Sequence, residues 1–262
     1  MITTFDFDCF WRIKDGGDKG TLFYIHGLGE SGRCFEHLMD EPQLSEWYHI
    51  APDLPGYGKS LWTQHILTLQ QLAQFLADFI QDTYLPKPII IIGHSMGGVI
   101  GTLLSAMCDD IDGFVNIEGN LTIEDCQFSS RASVYSKSEF ITRGYKELSA
   151  SIFELAFANE SFKNYFVSLS ICDPSSYYQH SQELIDISAR ESLLGMLEKL
   201  PIPTIYFAGI PQGISDRSLV LLKDTSIDVV KITLSGHWPF QENPKLFISQ
   251  LKKFMGKNQE VI

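Results

Sequence analysis

The sequence predicts an α/β protein: an open, mostly parallel, doubly wound sheet with a helical block inserted after the sixth strand. Short runs rich in β-branched residues are apolar throughout, which is the pattern of strands covered on both faces. Helical periodicity fills most intervals between them, as parallel connections require. One interval, about eighty residues from 119 to 200, is helical in pattern and contains no buried strand run.

The N-terminal residues MITTFDFDCFWRIK, broken off by DGGDKG, are read as antiparallel strands at the sheet edge. The buried runs follow as TLFYIHG (21–27), PIIIIGHS (88–95), GFVNIEG (113–119) and PTIYFAG (203–209). YHIAPD (48–53) and DVVKITL (228–234) are weaker strands of the same sheet. In TLQQLAQFLADFI, Thr68 and Gln71 have capping-box spacing, and Leu69, Leu72, Phe75, Leu76, Phe79 and Ile80 repeat on one face, so this helix covers the sheet. The final helix begins NPKLFISQLKKF, with Asn243 as N-cap and Pro244 at the first helical position.

Inside the long interval, SEFITRGYKELSASIFELAFANESFKNYF and SSYYQHSQELIDISARESLLGMLEKL read as helices, most of whose aromatics form a small core of their own. The expected division is a core of residues 1–118 and 201–262 and a helical cap of residues 119–200. The cap is expected over the strand ends, where ligands bind in open α/β sheets.

Composition narrows the partners. A chain of 262 residues can bury a sizeable core, and 44% apolar with 20% charged residues is ordinary for a soluble globular protein. The net charge of −12 and the absence of a basic stripe argue against a phosphate-backbone ligand and discourage anionic membranes. No run approaches the ~18 apolar residues of a membrane span, and the N-terminus lacks a secretory pattern, so the cytoplasm is the expected compartment. The five cysteines, without a CxxC pair, read as free thiols, and no metal site is expected.

Chemistry is concentrated in IIIIGHSMGG. Gly93-His94-Ser95-Met96-Gly97 is a G-x-S-x-G placed after a strand and before a helical stretch. A tight strand-to-helix turn forces its serine into a strained conformation that neighbouring glycines accommodate. It also exposes the hydroxyl at a helix N-terminus, whose dipole favours a developing oxyanion. Ser95 is thus the candidate nucleophile.

Four landmarks in order, HGLGES, PDLPGYGKS, GHSMGG and GHWPFQENP, make the chain resemble the α/β-hydrolase superfamily over nearly its whole length. The resemblance implies an α/β-hydrolase fold and a base at His237, in LSGHWPFQENP. It implies an oxyanion hole from the main-chain N–H groups of Leu28 and Met96. DLPGYGKS, with Asp53, is then a structural turn, and His26, His94 and Trp238 are candidates to line the pocket.

A histidine base needs a carboxylate behind it. Most α/β-hydrolases place that acid after the seventh strand, commonly as Gly-x-x-Asp, but here the third position after Gly209 is Gln212. Some members, haloalkane dehalogenases among them, carry it after the sixth strand, and Glu118 of FVNIEGN occupies that place. Asp216 is the alternative acid, with Glu124, Asp125 and Asp173 as further possibilities. Ser95 at the elbow excludes the carboxylate nucleophile of the dehalogenases.

The resemblance implies a serine hydrolase with the triad Ser95, Glu118 and His237. It would act through an acyl-enzyme on a small to medium, mostly apolar ester, lactone, thioester or amide, without a cofactor. The alternatives are a carbon–carbon bond hydrolase or lyase on the same triad, and a ligand receptor on a retained hydrolase frame.

Overall fold

The computed structural model describes residues 2–6 and 9–259. Its strands are β1 (Ile2–Asp6), β2 (Cys9–Lys14), β3 (Thr21–Ile25), β4 (Tyr48–Asp53), β5 (Ile89–His94), β6 (Gly113–Ile117), β7 (Thr204–Gln212) and β8 (Asp228–Gly236). They form one eight-stranded sheet in the order β1-β2-β4-β3-β5-β6-β7-β8. The β1–β2 and β2–β4 pairs are antiparallel, and every pair from β4–β3 to β7–β8 is parallel. The N-terminal stretch therefore supplies the antiparallel edge, and the apolar runs supply the parallel centre.

Burial explains the pattern. Every residue of β3, β5 and β6 is buried, as strands between two helical layers must be. At the far edge β8 leaves Asp228, Lys231, Thr233 and Leu234 exposed, which is why its sequence signal is weak.

The helices of eight residues or more are α1 (Leu69–Asp82), α2 (Met96–Ser105), α3 (Tyr145–Leu155), α4 (Glu160–Leu169), α5 (Pro174–Ala189), α6 (Asp216–Lys223) and α7 (Pro244–Gln259). The start of α1 is a closed capping box: Gln71 N donates to Thr68 Oγ1 at 3.2 Å, and Thr68 N donates to Gln71 Oε1 at 2.9 Å. At α7, Asn243 Oδ1 accepts from Leu246 N at 3.4 Å. Between β6 and β7 the described chain is helix and turn without a strand.

The PDLPGYGKS turn is held from within. Asp53 is fully buried, accepts from Gly32 N and Lys59 N at 2.8 Å each, and pairs with the buried Arg12, which also reaches Glu36. All five cysteines are free and buried. Among the described residues no helix is long and apolar enough to cross a membrane.

Register brings the functional termini together. Gly93 pairs with Asn116 and His94 with Ile117, so β5 and β6 end side by side. Ser95 N then donates to Ile117 O at 2.8 Å, and Glu118 N to Phe207 O at 3.1 Å, which continues the alignment one residue past each strand.

Candidate active site

Ser95 stands at the turn between β5 and α2 with φ 53° and ψ −118°, a region that a non-glycine residue enters only under constraint. The constraint is close backbone packing. A Cβ at Gly97 would lie 2.0 Å from Ile25 O, and one at Gly93 would lie 2.3 Å from Gly97 O. Only glycines at both places let the elbow tuck against β3. Met96 opens α2, where N–H groups have no intrahelical acceptor.

His237 follows β8, its side chain 21% exposed, with Nδ1 3.5 Å from Glu118 Oε2. Glu118 is the second non-glycine residue with positive φ in this region, at 54°. Its carboxylate is fully buried: Oε1 accepts from Gly209 N at 2.6 Å, while Oε2, the oxygen facing His237, has no hydrogen-bond partner. A buried carboxylate oxygen without a donor is unfavourable, and an N–H on His237 Nδ1 is the donor within reach. Ser95 and His237 line one cavity without a direct hydrogen bond between them; such contacts are commonly loose before substrate binds.

A second carboxylate lies behind the first pair. Glu30 is buried and accepts from Gly27 N at 2.6 Å, from His94 Nδ1 at 2.8 Å and from Trp238 Nε1 at 2.7 Å. The other nitrogen of His94 lies 2.7 Å from the carbonyl oxygen of His237. Both ring nitrogens of His94 thus face acceptors, which only the doubly protonated imidazolium satisfies. Burial opposes that charge, but the Glu30 carboxylate and the two hydrogen bonds outweigh it and raise the His94 pKa above the ordinary imidazole value. Burial likewise opposes charge on Glu30, and the His94 charge with the three hydrogen bonds holds its pKa down at about 2.

The cavity is lined by Leu28, Ser95 and His237 together with Asn120, Asp125, Phe128, Ser129, Tyr165 and others. About 10 Å³ of it is free to the centre of a water molecule, room for one water, so a substrate needs its walls to shift. Phe128 is a half-buried wall residue, its ring centroid 5.5 Å from that of His237. Among the described residues no cluster of three or more His, Cys, Asp or Glu side chains could hold a metal ion.

Of the pocket candidates, His94 and Trp238 line the cavity and His26 does not. His26 is buried between loops, with Nδ1 2.8 Å from Gly27 O and Nε2 accepting from Leu54 N at 3.0 Å, so it ties the loop after β3 to the turn after β4. Asp216 is exposed in the first turn of α6, where an acid suits the helix dipole, and has no ion pair with His237. Asp125 lines the cavity, but its oxygens are occupied by Leu121 N, Thr122 N, Ser215 N and Ser218 Oγ. Asp173 caps α5, and Glu124 lies 3.9 Å from Arg217.

The sequence does not single out Glu30, Asn120, Phe128 or Ser129 as cavity residues. Glu30 sits inside the HGLGES landmark, but its partners His94 and Trp238 are 64 and 208 residues away, beyond any spacing rule.

Comparison with known proteins places the chain in a family. Over 102 residues the chain is 28% identical to a Mycoplasma pneumoniae protein named "Putative esterase/lipase 2", a match spanning 38% of each chain. It is 20% identical over 266 residues to "Putative esterase/lipase 1" of the same organism, covering 92% of both. Among solved structures, a thermophilic esterase from Thermogutta terrifontis superposes with a TM-score of 0.78 at 20% identity, over 95% of this chain and 94% of that one, a likeness of fold. The model of the Alpha/beta hydrolase family matches residues 22–250, a stretch that contains Ser95, Glu118 and His237, and the chain belongs to that family.

Proposed function

We propose that the protein is a serine hydrolase that cleaves a small to medium ester, lactone, thioester or amide through an acyl-enzyme on Ser95. One observation carries this reading: the buried Glu118 Oε2, otherwise without a partner, lies 3.5 Å from Nδ1 of a histidine that shares a cavity with the strained Ser95.

In the proposed cycle Nε2 of His237 takes the Ser95 proton as Oγ attacks the carbonyl carbon. Glu118 holds the tautomer with hydrogen on Nδ1 and stabilises the imidazolium. The N–H groups of Leu28 and Met96 bind the tetrahedral oxyanion. His237 then gives its proton to the leaving group, and the same imidazole activates water to release the acid and free Ser95. None of these steps calls on a metal or cofactor. Residues 119–200 act as a cap that keeps bulk water from the intermediate, and the rings of Phe128, Tyr165 and Trp238 favour an apolar body in the substrate.

The test is intact-mass analysis after exposure to a fluorophosphonate, alongside hydrolysis of short p-nitrophenyl esters. Wild type should gain one adduct and turn over the esters, and Ser95→Ala should do neither. Glu118→Gln should slow both by about a hundredfold or more, and Asp216→Asn should leave both unchanged. An unlabelled but folded wild type would overturn the hydrolase reading. Slowing by Asp216→Asn rather than Glu118→Gln would overturn the acid. Labelling without ester turnover would favour carbon–carbon bond chemistry on the same residues.

A further inference from the structure

The acyl-transfer reading leaves one part of the cavity wall without a role. Asn120 and Ser129, in the turns that follow β6, line the cavity with Ser95 and His237. Asn120 is 5% exposed, and its Oδ1 is buried without a hydrogen-bond partner. The other such atoms outside the Glu118 pair, on Ser105, Gln182 and Ser188, belong to residues that do not line the cavity.

The orientation of the Asn120 amide follows from its neighbour. The Cys126 thiol donates to Leu184 O at 3.7 Å, which leaves its sulfur to accept from Asn120 Nδ2 at 3.6 Å. The unoccupied atom is therefore the oxygen, an acceptor. Ser129 is 3% exposed, and its hydroxyl does not cap the short helix Ser130–Ser133 that it precedes.

Native folds meet nearly all buried acceptors, and those left unmet call for an explanation. With room for one water, the cavity cannot keep a solvent molecule on Asn120 once substrate fills it. We propose that Asn120, assisted by Ser129, is a polar subsite for a hydrogen-bond donor of the substrate, so that preferred substrates carry an amide N–H or a hydroxyl close to the scissile carbonyl. The inference rests on the hydrolase reading of Ser95 and narrows it. A purely hydrocarbon acyl ester would strand Oδ1 without water or partner, and a site of that kind discriminates against the analogue that lacks the donor.

The test compares kcat/KM within two matched pairs of esters. Phenyl N-acetylglycinate and phenyl 4-oxopentanoate differ by N–H against CH2 on the acyl side; 2-hydroxyethyl butanoate and propyl butanoate differ by O–H against CH3 on the alcohol side. The ratio in wild type divided by the ratio in Asn120→Leu cancels intrinsic reactivity. In at least one pair the preference for the donor-bearing ester should fall about tenfold in Asn120→Leu, and less in Ser129→Ala. Asn120→Asp, which keeps an acceptor, should retain a preference and serves where the leucine variant fails to fold. Ratios unchanged within about twofold in both pairs, with esters still hydrolysed and Ser95 still labelled, would overturn the subsite alone. Loss of labelling and turnover in wild type would overturn the hydrolase reading and the subsite with it.

Discussion

The Glu30 carboxylate joins three segments distant in sequence: the loop after β3 through Gly27, the β5–α2 elbow through His94, and the chain after β8 through Trp238. Through His94 it also fixes the carbonyl of His237. In Glu30→Gln one of two acceptor positions becomes an NH2 facing other donors. Breaking a buried, hydrogen-bonded pair at one partner costs about 3–5 kcal/mol, so urea unfolding should show a loss of that size. His94 supplies a second readout. In wild type its imidazole, watched by NMR, should stay protonated above pH 6.5; in Glu30→Gln, burial is opposed only by the His237 carbonyl and the Glu118 charge, and its titration should move down. An unmoved His94 titration would show that Glu30 does not hold the charge. Ser95 and His237 could be singled out from sequence because each follows a strand within a landmark, and Glu118 because it ends a strand run while Gln212 stands at the usual acid position. Glu30 and Asn120 could not, because a hydrogen-bond partner, or the lack of one, is a property of the folded chain.

The segment between β6 and β7 is fastened unevenly. Helix α5 is tied to the chain entering α1: Leu69 N donates to Glu183 Oε2 at 2.7 Å, and His180 lies between Leu67 O at 2.8 Å and the Tyr57 hydroxyl at 2.6 Å. His180 donates from Nε2 and accepts at Nδ1, a neutral tautomer that completes both partners. His180→Phe takes the donor from the half-buried Leu67 carbonyl and leaves the buried Tyr57 hydroxyl only Met96 Sδ at 3.8 Å, a loss of about 3 kcal/mol. For a chain of this size that corresponds to roughly 10 °C in Tm, read by circular dichroism; an unchanged Tm would show that α5 is held by packing alone. On the other side, Phe128 lines both the cavity of Ser95 and His237 and a second one of about 200 Å³ formed with Gln127, Arg131, Leu155 and Phe162. Helical periodicity foretold the helices of this segment, as it did α1 and α7. Their anchoring was not foretold, because a histidine such as His180 has no motif around it.

The pH response of the folded protein follows from a few buried histidines. His26, His49 and His180 are fully buried, and burial lowers the pKa of each, that of His49 to about 4. The unfolded chain takes up these protons near pH 6.5 and the folded one does not, so the stability they contribute is full above that pH and lost as pH falls toward the folded values. His49 alone withdraws about 3 kcal/mol between pH 6.5 and 4, against a total of about 5–15 kcal/mol for a typical domain. His94 has the opposite sign. Its raised pKa stabilises below pH 6.5, and that contribution fades as pH rises through the folded value, so it offers no resistance to acid below 6.5. Glu30, held at about 2, keeps its contribution above about 4.5 and loses it only on further acidification. The urea midpoint should therefore fall steeply from pH 6.5 to 4.5, with the carboxylates joining only below that range. In His49→Gln the amide can still reach Leu44 O and the Tyr24 hydroxyl, the two partners of the wild-type ring, and the slope should flatten. A midpoint constant from pH 7 to 4.5 would mean that the buried histidines find compensating acceptors when charged, and a slope unchanged by His49→Gln would remove His49 from its cause.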